Sequence, residues 1–241
     1  MLRRLNLKIN YKKVLLIRHG ESIWNQESKF TGWTNIPLTD NGRKEAEKIA
    51  SLLMDNSLIP NIVFSSVLDR SIETSNIIKN NLMKKQGLDI PIHTSWRLNE
   101  KHYGTLEGIP REYIRNTYGD KFTQLMRKSF NMKPPILKDY KNVKEYPVYK
   151  NCYFKKIKNG ESKENVLDRL LPYFENDILF TLSEKKLPLI VTHKHCARVL
   201  MKYLLKMNEE DFEYYEIPNK AIIVLDFDDD NNYLTNSIIR Y

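Results

Sequence analysis

The sequence predicts an α/β fold: a mostly parallel central sheet flanked by helices on both faces, with a loop-rich helical insertion and a C-terminal β-hairpin. Three short apolar runs carry that reading, at residues 14–17, 62–65 and 188–192, each followed by a stretch of helical periodicity. A strand buried on both faces is apolar throughout, and strand–helix–strand order specifies parallel neighbours joined by right-handed crossovers. The first and third runs both stop at a histidine, His19 and His193.

Taken in order, residues 1–12 read as an N-terminal extension and residues 13–241 as a single domain. Leu15-Leu16-Ile17 leads into Arg18-His19-Gly20-Glu21 and then a polar loop through Thr31-Gly32-Trp33. Thr39-Asp40-Asn41-Gly42 is helix-start chemistry, followed by Ala46, Ile49, Ala50 and Leu53 on one helical face. Ile62-Val63-Phe64-Ser65 is the second strand, with a helix from about Asp69 to Leu82 carrying Arg70 in its first turn. Pro91-Ile92-His93 reads as an edge strand. From about 99 to 159 the periodicity fails around Pro134-Pro135, leaving a loop-rich insertion with a helix near 111–130, of the kind that serves as a lid or binding loop. A helix from about Lys163 to Leu182 buries Val166, Leu170 and Phe174, with a kink at Pro172. Ala221 to Phe227, a turn at 228–232 and the strand from Tyr233 form the terminal hairpin.

The bulk numbers exclude several classes. With 41% hydrophobic and 29% charged residues in 241, the chain reads as a globular protein with no apolar run near the roughly 20 residues a membrane helix needs. No secretory h-region follows the basic start, and two cysteines make no disulfide framework, so a reducing, cytoplasmic location is expected. The net charge of +9 is compatible with nucleic acid, an anionic membrane surface or a small phosphorylated substrate, but its lysines are scattered along the chain without a dense tract, which favours a solvated basic surface over a nucleic-acid patch.

A histidine at a sheet rim is a general base, a metal ligand or a covalent nucleophile. Arginines beside it repel cations, so no metal is expected; they cradle phosphate instead through bidentate, charge-assisted bonds. Arg18, Arg70 and a protonated His193 are the candidates to stabilise a transferring phosphoryl group, and Glu100 is the candidate proton donor to a leaving alcohol. A cysteine-phosphatase reading of Cys196 fails because Lys202 stands where that chemistry needs an arginine.

Arg18-His19-Gly20-Glu21-Ser22-Ile23-Trp24-Asn25, Phe30-Thr31-Gly32-Trp33, Ser65-Ser66-Val67-Leu68-Asp69-Arg70 and Leu98-Asn99-Glu100-Lys101-His102-Tyr103-Gly104 occur in that order. Together they resemble the cofactor-dependent phosphoglycerate mutases of the histidine phosphatase superfamily, from about residue 13 onward. The resemblance implies that His19 is the phosphorylated nucleophile and Glu100 the general acid/base. It implies that Arg18, Arg70 and His193 hold the transferring group beside Asn25, and that Thr31, Gly32, Tyr103, Arg111, Arg127 and Lys128 contact the carboxylate and second phosphate. The implied reaction interconverts 3-phosphoglycerate and 2-phosphoglycerate in glycolysis through a 2,3-bisphosphoglycerate intermediate, which also primes the enzyme. A homodimer or homotetramer is implied in the same way.

Two departures stand out. Lys194-His195-Cys196 replaces the Gly-Asn-Ser usual after the second histidine, placing the Lys194 ammonium at the phosphate site, and Asn219-Lys220 replaces Thr-Gly. The sequence also ends at the final strand without the covering tail of many such mutases, from which faster hydrolysis of phospho-His19 is expected. A phosphomonoesterase of the same superfamily and a non-catalytic mutase-like paralogue are the alternatives.

Overall fold

The computed structural model describes residues 12–87, 89–135 and 160–241. The expectations for residues 1–11, for 136–159 of the insertion and for Cys152 lie outside these. Six strands form one sheet in the order β3-β2-β4-β1-β5-β6: β1 Lys12–Arg18, β2 Ile62–Ser65, β3 Ile92–Thr94, β4 Pro188–Thr192, β5 Ala221–Phe227 and β6 Tyr233–Arg240. Strands β1 to β4 run parallel, whereas β5 pairs antiparallel with both β1 and β6. The sheet is mostly parallel, and the hairpin forms one of its edges, attached to the parallel strands through β1.

Side-chain alternation explains the layers. Successive residues of a strand face opposite sides, so β1 sends Val14 and Leu16 one way and Leu15 and Ile17 the other. The first pair packs with Val166 and Leu170 of α5 (Lys163–Tyr173) and Val199 and Leu200 of α7 (Lys194–Leu204). The second packs with Ile49, Ala50 and Leu53 of α2 (Asp40–Asp55) and Ile78 and Leu82 of α3 (Asp69–Gln86). Each fully buried aliphatic contributes about 1.5–3 kcal/mol, so a one-residue slip of β1 is prohibited by both faces.

Local chemistry sets the boundaries. Ser22 and Asn25 form a capping box that starts a single turn, α1 (Ile23–Gln26), where the sequence reads as loop. Thr39 caps α2 through the Gly42 N–H. α3 runs past the expected Leu82 because Gly87, at φ +69, is the first residue able to close it in the left-handed conformation. The helix α4 (Arg111–Lys128) is two segments joined at Gly119, φ +84.

The helix expected from Lys163 to Leu182 is interrupted. Pro172 lacks an N–H, and beyond it the chain widens into a π turn at Phe174–Ile178 before α6 (Phe180–Ser183). A last short helix, α8, covers Glu209–Tyr214. No helix among the described residues is long and apolar enough to cross a membrane.

Candidate active site

Parallel register brings the two histidines together. Leu15 to Arg18 pair with Leu189 to Thr192, so the next residues, His19 and His193, leave adjacent strands at the same carboxyl edge. Their ring centroids lie 4.8 Å apart at 59°. Gly20 is required just beyond, because a Cβ there would collide with the backbone of Gly42 where α2 crosses.

The His19 tautomer follows from its partners. Nδ1 sits 2.6 Å from the carbonyl of Gly20, which can only accept, so Nδ1 carries the proton. Nε2 keeps its lone pair and accepts from Arg70 Nε at 3.3 Å. Burial, then Arg70 and Arg18, push the His19 pKa well below its usual value, which keeps the ring neutral. His193 Nε2 is 2.7 Å from the Ser66 hydroxyl, and its Nδ1 is buried without a partner. The expected protonated His193 is corrected: burial and the adjacent Arg70 depress its pKa as well, so the ring is neutral.

Arg70, the second residue of α3, is 1% exposed and spans the floor, donating to the carbonyls of Gly32 (2.8 Å) and Thr34 (3.0 Å). Gly32 adopts φ +54 with Glu107 lying where a Cβ would go. Glu107 fastens two loops at once, accepting from the N–H groups of Trp33, Thr34 and Tyr103. Arg18 donates to Asn25 Oδ1 at 3.3 Å and to Asn219 Oδ1, and its Nε is buried and unpartnered.

Glu100 faces the histidines from a loop. Its Oε1 accepts from the N–H groups of Lys101 (2.8 Å) and His195 (3.1 Å), the latter at the start of α7. The segment is held from behind by a fully buried pair. Arg169 donates to Glu161 Oε1 at 2.8 Å and to the carbonyls of Arg97, Asn99 and Glu100 at 2.6, 2.9 and 3.0 Å.

An inner chamber of about 50 Å³ is lined by Arg18, His19, Asn25, Thr31, Gly32, Arg70, Glu100, Tyr103, Arg111, Arg127, Lys194 and His195, with Phe30. It shares His19 and four cations with an outer cavity of about 450 Å³ that also reaches Glu45, Asn219 and Lys220. Five cationic side chains against one carboxylate make the inner chamber a receptor for a multiply charged anion. Crowding among them is visible in Arg111, whose pKa is lowered by burial first and by Arg127 next.

Of the thirteen residues expected from sequence, eleven line this space; His193, fully buried beside His19, does not, and neither does Lys128. It sits beside Arg127 on the last turn of α4, and its ammonium lies 5.0 Å from the ring centroid of Tyr214. Lys194 lines both cavities and pairs with Glu216 at 2.5 Å. Ser66, Glu107, His195 and Asn219 were missed as site residues. Ser66 was within reach, since it sits where β2 ends, at the same edge as His193. Among the described residues no cluster of His, Cys, Asp and Glu is arranged to hold a metal ion.

Known proteins share this architecture. Over 92% of its length the chain is 41% identical to the 2,3-bisphosphoglycerate-dependent phosphoglycerate mutase of Buchnera aphidicola subsp. Cinara cedri, covering 96% of that protein. It is 34% identical to the enzyme of the same name from Parabacteroides distasonis, over 91% and 88% of the two chains. Among solved structures, Bacillus stearothermophilus YhfR superposes with a TM-score of 0.72 at 22% identity, covering 92% of this chain and 94% of its own. A mycobacterial glucosyl-3-phosphoglycerate phosphatase, Rv2419c, superposes with 0.71 at 19%, covering 95% and 98%. The model of the histidine phosphatase superfamily (branch 1) matches residues 14–238, a span running from within β1 to within β6, and the chain belongs to that superfamily.

Proposed function

We propose that the protein interconverts 3-phosphoglycerate and 2-phosphoglycerate as a 2,3-bisphosphoglycerate-dependent phosphoglycerate mutase, an isomerase working through a phosphohistidine. One observation carries the reading: His19 Nε2 is the unprotonated ring nitrogen, held by Arg70 inside an arginine cage, with Glu100 lining the same chamber. The names of the curated relatives support it. A ligand with two phosphates and a carboxylate suits five cations in so small a space, and bound 2,3-bisphosphoglycerate supplies the priming phosphoryl group.

His19 Nε2 attacks phosphorus; the N–P bond forms as the O–P bond breaks, and Glu100 gives its proton to the leaving alkoxide. In the reverse direction Glu100 takes the proton of the attacking hydroxyl, and the electron pair of the N–P bond returns to His19. Arg18 and Arg70 neutralise the equatorial oxygens throughout. His193, neutral and fully buried, packs its ring beside that of His19 and is tied through Nε2 to Ser66. A place in glycolysis and a cytoplasmic location belong to the same proposal.

The test combines intact-mass measurement after incubation with 2,3-bisphosphoglycerate and a coupled assay comparing isomerisation with phosphate release. Wild type should gain one acid-labile phosphoryl group and isomerise faster than it hydrolyses; His19→Ala should do neither. No adduct, or release outpacing isomerisation, would overturn the proposal.

A further inference from the structure

His195 departs from the sequence pattern described above, and the structure puts it in the chamber wall rather than behind it. It is 6% exposed, its backbone N–H already serves Glu100, and its side chain does something separate. Nε2 lies 2.8 Å from the hydroxyl of Tyr103, with the two rings near perpendicular. Nδ1 is buried with no partner.

These contacts choose a tautomer. A buried acceptor left unpaired is tolerated better than a buried N–H left unpaired, so the orphaned Nδ1 is the bare nitrogen and Nε2 carries the proton. Burial, then Lys163, Lys101 and Arg198, keep His195 neutral, so the ring carries a single proton. Nε2–H then donates to Tyr103 Oη. A phenol oxygen that accepts from below has its own proton free to point elsewhere, and Tyr103 also lines the chamber. Burial holds that phenol protonated, its pKa raised above the usual value. Thr31 Oγ1, buried without a partner, lines the same wall.

We propose that His195 is a positioning residue: its Nε2–H fixes the Tyr103 hydroxyl so that the phenolic proton is presented to the substrate's anionic group that is not being transferred. The inference rests on the mutase reading above and deepens it, adding a residue that sets substrate affinity rather than chemistry. With the opposite tautomer Tyr103 would donate to His195 and turn a lone pair toward an anion, which is repulsive.

The test is a double-mutant cycle in the 3-phosphoglycerate assay, with phosphohistidine yield at saturating 2,3-bisphosphoglycerate as the control. His195→Leu and Tyr103→Phe should each raise KM about tenfold while kcat moves less than about threefold, the size expected for one hydrogen bond to a charged group. The double variant should be no worse than about tenfold, because both changes remove one interaction. His195→Gln, whose side-chain N–H reaches the Nε2 position, should return KM to within about threefold of wild type. If His195→Leu does not fold, His195→Asn, whose amide falls short of that position, takes its place.

An unchanged KM, a multiplicative double variant near a hundredfold, or a glutamine variant no better than leucine would overturn the proposal. A fall confined to kcat would too, since it would mean that His195 acts only by seating Glu100. Absence of a phosphoryl adduct on wild type overturns the mutase reading instead, so the two failures are distinguishable.

Discussion

The backbone N–H of His19 donates to the carbonyl of Thr192 at 2.9 Å. The parallel ladder between β1 and β4 therefore continues one bond beyond the strands and ends at the two histidines. His19 is positioned by the same hydrogen bonds that hold the middle of the sheet.

Phosphorylation of His19 should be insensitive to pH around neutrality. An ordinary imidazole would lose nucleophilicity as pH falls through about 6.5, but burial, Arg70 and Arg18 displace that transition well into acid. Quench-flow measurement of adduct formation should give a flat rate from about pH 6 to 8. An inflection near 6.5 would mean that the ring is solvated.

Stability should rise with pH across a wide window. His19, His193 and His195 all have depressed pKa values, so below about 6.5 the unfolded chain binds protons that the folded chain refuses. Three such groups give a slope of up to about 4 kcal/mol per pH unit, and Tm should fall between pH 7 and 5. Lys163, held down to about 6, and Lys101, to about 8, act with the same sign. Their penalties are complete below those values and vanish only as pH rises toward the 10.5 of an unfolded lysine, so Tm should continue upward from pH 7 to 9.

Lys194 answers the question its position raised. It lines the chamber and is paired with the half-exposed Glu216, a partner that a polyanion can displace. Lys194→Ala should therefore lower kcat/KM about tenfold and weaken its dependence on salt. A gain in kcat/KM would show that the lysine obstructs the site.

Arg169→Met should be severe although Arg169 touches no substrate. It takes from the buried Glu161 its guanidinium partner, at a cost of about 3–5 kcal/mol, and removes the donor to the carbonyls of residues 97, 99 and 100. A lower Tm and a lower kcat are expected together, with phosphohistidine yield from 2,3-bisphosphoglycerate the least affected.

The strands and the histidine edge were legible because burial on both faces leaves an unbroken apolar run, and because a strand's last residue is visible where polarity begins. Arg18, His19, Arg70 and Glu100 stood out as charge placed against that background. The antiparallel seat of β5 beside β1 was not legible, since pairing between distant segments leaves no local trace. Nor was the π turn, which Pro172 permits but does not specify. Asn219 and Glu107 are polar residues in polar loops, indistinguishable from solvated ones until the backbone converges. Lys128 failed for a geometric reason: residues adjacent on a helix point about 100° apart, so Arg127 and Lys128 cannot both face the cavity.

His19 and Glu100 are anchored by different materials. One hangs from main-chain pairing in the interior of the sheet; the other is tied down by a guanidinium and a carboxylate through side-chain bonds to a loop. Gentle heating or low urea should release the second tether first, leaving molecules that accept and pass on a phosphoryl group slowly while far-ultraviolet circular dichroism is unchanged. Turnover is thus the earliest casualty of thermal stress, ahead of any visible melting.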